Sequence, residues 1–203
     1  MENSRSEKVP RMQEMRGNDM TRMQTTYTKT AVPELMKKFG LKNRMEVPKI
    51  EKVVLNIGFG KLVSGKTGEE EKKVKEEVLQ DLSLITGQRP SWTLSHKAIA
   101  GFKLREKVAI GAKVTLRGPR MYDFLERLVN VVLPRSRDFR GILLKTFDQK
   151  GNLNMGVREM IFFPEILPEK VRVPLSLEIT VTTSAKTREQ GIELLRLIGF
   201  PLE

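Results

Sequence analysis

Eight residues, Gly60-Lys61-Leu62-Val63-Ser64-Gly65-Lys66-Thr67, satisfy the G-x-x-x-x-G-K-[ST] pattern of a phosphate-binding loop. A strand expected over 50–59 precedes them and a helix expected over 67–85 follows, which is the context that chemistry requires. In such a site the backbone amides cradle phosphates, Lys66 reaches them and Thr67 holds magnesium. The supporting parts are missing. No later apolar strand ends in an Asp suited to the metal. The strands alternate in polarity, whereas a parallel nucleotide-binding sheet needs apolar runs buried on both faces. Glu69, Glu70 and Glu71 at the helix start would repel a triphosphate. A dinucleotide fingerprint also fails, because Val63 stands where the third glycine after Gly58 and Gly60 belongs. The segment therefore reads as a Gly/Lys loop capped by Thr67. The alternative is a small P-loop nucleotide hydrolase using Gly60 to Thr67.

Other reactive chemistry is sparse. The chain has no cysteine, which excludes disulfides, thiolate metal sites and cysteine nucleophiles. His96 is the single histidine, so a histidine-rich metal site is excluded as well. No paired carboxylates fall in a catalytic motif, so no enzyme activity, metal or cofactor is expected. Charge is the strongest signal. Over 203 residues, 37 Lys and Arg against 25 Asp and Glu give 37 − 25 = +12. That excess suits a polyanionic partner. The longest apolar runs, 160–163 and 131–133, are too short to span a bilayer, and a soluble intracellular chain is expected.

These residues need a scaffold. Residues 1–24 are polar, mix both charges and hold no apolar stretch, so they read as a disordered tail rather than a targeting signal. Met20 and Met23 are alternative start sites, under which part of this tail is a gene-model artefact. Residues 25–203 read as a single RNA-binding domain. Helices are expected over 26–38, 67–85, 119–132 and 187–197, each with an apolar stripe. Capping-box pairs, Thr67 with Glu70 and Thr187 with Gln190, mark two of the starts. Gly40, Gly87 and Gly199 mark ends. Strands are expected over 50–59, 91–96, 111–117 and 175–183, with short ones around 153–157. Irregular alternation of helices and strands implies an α+β fold. The expected architecture is a two-layer sandwich, a mostly antiparallel sheet with helices packed on one face.

The other sheet face follows from parity. It carries Lys52, Val54 and Asn56 from the first strand and Ser91, Thr93 and Ser95 from the second. The third contributes Gly111, Lys113, Thr115 and Arg117, and the last Ser176, Glu178, Thr180 and Thr182. This face is either simply solvated or a platform for nucleic acid. Hydroxyls, amides, Lys and Arg suit phosphates and 2′-hydroxyls. Aromatics are absent from it, which argues against stacking of single-stranded bases.

Seven stretches read together: VPKIEKVVLNIGFG (47–60), DLSLITGQRP (81–90), KAIAGFKLRE (97–106), IGAKVTLRGPRMYDFLERL (110–128), LPRSRDFRGI (133–142), GNLNMGVREMIFFPEI (151–166) and LEITVTTSAKT (177–187). In order and without large gaps, they resemble the family of ribosomal protein five of the large subunit, in its bacterial form. The resemblance implies a structural ribosomal component that binds 5S rRNA in the central protuberance. It also implies contact with peptidyl-site tRNA, other large-subunit components of the central protuberance, and a small-subunit head protein. Cytoplasmic ribosomes of a bacterium are the implied location, ahead of an organelle. The family's RNA-contact positions fall on Asn56, Gln88 and Thr115, and the polar face adds Lys52, Thr93, Lys113 and Arg117. The family's tRNA-contacting loop corresponds to 97–111, with Lys97, Lys103, Arg105 and Lys107. Arg135, Arg137 and Arg140 are further candidates for phosphate contact, although Arg137 beside Asp138 also reads as an ion pair. The phosphate-loop-like segment and the N-terminal tail depart from the family pattern.

Overall fold

In a computed structural model of the chain, the described residues are 21–64, 68–102, 104–137, 139–167, 169 and 175–203. Five strands form one sheet: β1 (Ile50–Gly58), β2 (Ser91–Leu94), β3 (Ala109–Leu116), β4 (Leu153–Val157) and β5 (Leu177–Thr183). Their spatial order is β2-β3-β1-β5-β4, and every neighbouring pair is antiparallel. The alternation read from sequence is realised in burial. Val53, Leu55 and Ile57 on β1, Ala112, Val114 and Leu116 on β3, and Leu177, Ile179 and Val181 on β5 are all within the core. Each such large side chain contributes about 1.5–3 kcal/mol of burial free energy.

The helical layer covers that apolar face. Residues 22–39 form one continuous helix: α1 (Arg22–Thr26), a π-helical turn (Tyr27–Ala31) and α2 (Val32–Phe39). Left-handed Gly40 ends it. Residues 22–24, expected within the tail, are instead helical, because α1 begins at Arg22 and buries Met23. Residues 1–20 lie outside the described residues. A short helical turn, α3 (Gly60–Val63), leads toward α4 (Glu69–Thr86), which buries Val78, Leu82 and Ile85 and stops at left-handed Gly87. The N-cap of α4 is Gly68, which supplies no side-chain cap; the expected cap Thr67 lies outside the described residues.

The third helical run is α5 (Pro119–Arg127), a second π-helical turn (Leu128–Val132) and α6 (Leu133–Arg135). The last helix, α7 (Arg188–Ile198), starts at the N-cap its capping pair predicts, with the returning glutamine bond reaching Lys186 rather than Thr187. Thr187 Oγ accepts the Gln190 amide at 3.4 Å, and Gln190 Oε1 accepts the Lys186 amide at 3.1 Å. α7 packs backbone to backbone against the turn before β4. A Cβ added at Gly191 would lie 2.2 Å from Gly151 O, so only glycine permits this approach. The α+β sandwich with helices on one face is thus the observed fold.

Candidate nucleic-acid interface

The uncovered sheet face is organised in cross-strand rows. One runs Ser91, Lys113, Asn56, Glu178, Gly156 across all five strands. The next runs Thr115, Val54, Thr180, Asn154, and Lys52 stands opposite Thr182. Lys113 and Arg117 are exposed and Lys52 is half-buried. None of the three forms an ion pair among the described residues. Asn56 and Thr115 are diagonal neighbours on this face, as parity requires. The register also places Thr93 opposite Gly111, but its Oγ is covered and has no hydrogen-bond partner among the described residues.

Side-chain amides tie the face together. Asn56 Nδ2 donates to Glu178 Oε2 at 3.1 Å, and Thr180 Oγ donates to Asn154 Oδ1 at 2.9 Å. Gln88 joins from the turn before β2. The pairing of β2 with β3 ends at Ser91 opposite Lys113. Two residues further along β3, Gln88 Nε2 supplies the missing donor to Thr115 O at 2.9 Å. The three positions marked by the resemblance, Asn56, Gln88 and Thr115, are therefore one neighbourhood. Sequence alone places Gln88 only in the connecting turn.

One parity assignment is corrected. Ser95 does not lie on the open face; it is buried. The register between β2 and β3 shifts between Thr93 and Leu94, and such an irregularity reverses the alternation beyond it. Ser95 instead anchors the excursion that follows. Its Oγ donates to Arg105 O at 2.6 Å and accepts the Val108 amide at 3.1 Å, and its backbone N donates to Val108 O at 2.8 Å. Further out, Ile99 N donates to Leu104 O at 3.0 Å and Leu104 N to Ile99 O at 3.2 Å. The basic loop is thus a small ordered hairpin rather than a slack connection. Lys97, Arg105 and Lys107 are exposed on it, Lys107 with φ of 61°; Lys103 lies outside the described residues.

Sequence reasoning misses the apolar part of this hairpin. Phe102 is 70% exposed beside exposed Ile99, and Ser64 Oγ donates to Phe102 O at 2.5 Å. The signal for it is the AIAGF run, apolar within an otherwise basic loop.

Only the first part of the phosphate-loop-like segment, Gly60 to Ser64, falls within the described residues. Gly60 to Val63 form a helical turn, and the strand before it belongs to an antiparallel sheet. Lys66 and Thr67 lie outside the described residues. The ion pair expected of Arg137 with Asp138 does too, through Asp138; Arg135, Arg137 and Arg140 are exposed.

Titratable groups with displaced pKa values sit away from the open face. Burial raises the Tyr27 hydroxyl, against a lowering by Arg44, and burial raises Tyr122, helped by Tyr27. Burial and then Glu77 raise Asp81 on α4. At Asp148 burial acts upward, but hydrogen bonds from Asn152 and Lys150 and the Lys150 charge bring its pKa below the usual value. Among the described residues no group of three or more His, Asp or Glu is placed to hold a metal ion. No helix among them is long and apolar enough to cross a membrane.

Comparison with known proteins identifies the family. A family model described as ribosomal protein L5 matches residues 43–105, and one for the C-terminus of the same ribosomal family matches 109–202. The boundary falls at the hairpin, so the open face takes β1 and β2 from the first part and β3 to β5 from the second. A protein of Neisseria gonorrhoeae named large ribosomal subunit protein uL5 is 50% identical over 184 residues, covering 91% of this chain and 99% of that protein. The proteins of the same name from Colwellia psychrerythraea and Shewanella piezotolerans are 50% and 49% identical over 184 residues, with 91% of this chain covered and 98% and 99% of theirs. Two adjoining family models and 50% identity over nearly the full length lead to one conclusion: this chain belongs to the ribosomal protein L5 family.

Proposed function

We propose that this chain is a non-enzymatic structural constituent of the large ribosomal subunit that binds 5S rRNA through the open face of its sheet. One observation carries the reading. Asn56, Gln88 and Thr115, distant in sequence, form one polar neighbourhood flanked by Lys52, Lys113 and Arg117. Phosphate contacts by these cations give affinity, while hydroxyls and amides fix position on a folded RNA. The hairpin with Lys97, Lys103, Arg105 and Lys107 is a second surface, for peptidyl-site tRNA. Its base is pinned by Ser95 while Lys97, Arg105 and Lys107 stay exposed, which suits a projection toward a separate partner. Neighbouring components of the central protuberance and a small-subunit head protein complete the partners, in a bacterial cytoplasmic ribosome. The chain from Arg22 onward acts as one domain in this reading, and the residues before it have no assigned role.

Two titrations on two variants test it. Lys103→Ala with Arg105→Ala and Lys107→Ala should leave 5S rRNA affinity within about 1 kcal/mol, the scale of a few exposed charges. The same variant should weaken tRNA on assembled ribosomes. Asn56→Ala with Thr115→Ala should cost more 5S affinity, because partner groups on the RNA are left unpaired. If the hairpin variant loses 5S binding as badly as the sheet variant, the two surfaces are one and the assignment is wrong.

A further inference from the structure

An acidic side chain stands beside the basic part of the open face. Glu178 is exposed, directly opposite Asn56 and two strands from Lys113. Its other neighbour in the row is Gly156, which has no side chain to set beside the carboxylate and where an added Cβ would meet nothing within 4 Å. On simple electrostatics such a charge weakens RNA binding. Its hydrogen bond suggests a different role. A carboxylate only accepts, so Asn56 must turn its amino group toward Glu178, as the 3.1 Å contact records. The amide is planar, so Oδ1 is then held pointing away from Glu178. Gln88 is fixed in the same sense: its amino group donates to Thr115 O, which turns its oxygen the other way.

We infer that Glu178 is a positioning residue that locks the Asn56 amide with its oxygen free, making this part of the face a reader of RNA hydrogen-bond donors rather than of phosphates. This rests on the proposed 5S rRNA reading of the face. The donors on RNA are ribose 2′-hydroxyls and base amino groups. Without Glu178 the amide is free to rotate, and half its orientations present the amino group to those donors.

The test is the sign of a substitution. Glu178→Val removes the acceptor and the charge while keeping a strand-forming residue, and thermal unfolding checks that the fold persists. With a 5S rRNA transcript, affinity should fall about fivefold, the scale of one lost interfacial hydrogen bond. In an Asn56→Ala background the same substitution should instead raise affinity, because only repulsion remains to be relieved. A purely structural role for Glu178 would not reverse sign in this way. Analogue interference with 2′-deoxy and inosine substitutions separates the two donor sources. At least one of them should interfere with the unaltered protein and cease to interfere with Glu178→Val. An affinity unchanged or raised by Glu178→Val, with Lys113→Ala still weakening binding, overturns the positioning role and leaves the face as an RNA site. If Lys113→Ala and Glu178→Val both leave affinity unchanged, the RNA lies elsewhere and both readings fall.

Discussion

Substituting Gly191 by Ala sets two effects of known size against each other. In an exposed helix interior this change stabilises by roughly 1 kcal/mol, because glycine is the poorer helix former. Here the new methyl would sit 2.2 Å from Gly151 O, 2.5 Å from its Cα and 2.7 Å from its carbonyl carbon. The turn has little room to retreat. Asp148 Oδ1 accepts the Lys150 amide at 2.9 Å and the Asn152 amide at 2.8 Å, and Thr183 Oγ donates to Gly151 O at 3.1 Å. Displacing the turn sacrifices that last bond, about 1 kcal/mol, on top of about 1–3 kcal/mol for overpacking. The clash outweighs the propensity gain, for a net loss of about 1–3 kcal/mol. In a chain of this size that lowers the melting temperature by roughly 3–10 °C. Gly156→Ala is the control, since its added Cβ meets nothing within 4 Å. Thermal and urea unfolding of the two variants measure the difference. A Gly191→Ala protein at least as stable as the parent would refute the close approach of α7 to this turn.

Other outcomes are equally specific. If phosphate contacts dominate 5S rRNA affinity, it should fall log-linearly with salt, and a flat profile would remove the +12 charge from the argument. Ser95→Ala should destabilise by about 1–3 kcal/mol, because a buried hydroxyl bonded on both sides is lost; hydrogen exchange should show the 95–108 hairpin opening first, and unchanged protection there would contradict its anchoring role. Asp148 has a lowered pKa in the fold, so its stabilising effect is complete above the unfolded carboxylate range and is lost as pH falls through the folded value. The stability gap between parent and Asp148→Asn should therefore narrow on acidification, and a gap constant from neutral to strongly acidic pH would count against the linkage. Lys66→Ala should leave RNA binding unchanged and the protein without ATP or GTP hydrolysis; saturable, magnesium-dependent nucleotide binding lost in this variant would restore the P-loop alternative.

Period-two patterning makes most of the sheet legible from sequence alone. Val53, Leu55 and Ile57 against Lys52, Val54 and Asn56 assign both faces of β1 without ambiguity. The same rule fails at Ser95, since a register shift is a property of two paired strands and leaves no mark in one of them. The π-helical turns at Tyr27–Ala31 and Leu128–Val132 read as ordinary helix, because a one-residue widening disturbs the stripe too little to notice. Gln88 marks another limit. Its bond to Thr115 depends on where β2 stops pairing, which is decided in three dimensions. Gly191 looks like a weak point in a helix, and its reason lies on a turn forty residues earlier in the chain.

The strand order also says something about how the protein is made. β1 emerges first from synthesis, yet it lies at the centre of the sheet between β3 and β5. Asn56 and its partner Glu178 are 122 positions apart. At about 5–20 residues per second, some 6–24 s separate their synthesis. Throughout that interval one side of β1 offers unpaired backbone groups and the Val53, Leu55, Ile57 surface lacks its neighbour. Unpaired apolar strands of this kind invite association with other chains. The row from Ser91 to Gly156 closes only when β5 slots in, near the end of translation. A chain terminated before β5 therefore lacks the completed face, and the order of the strands ties the appearance of that face to the last part of synthesis.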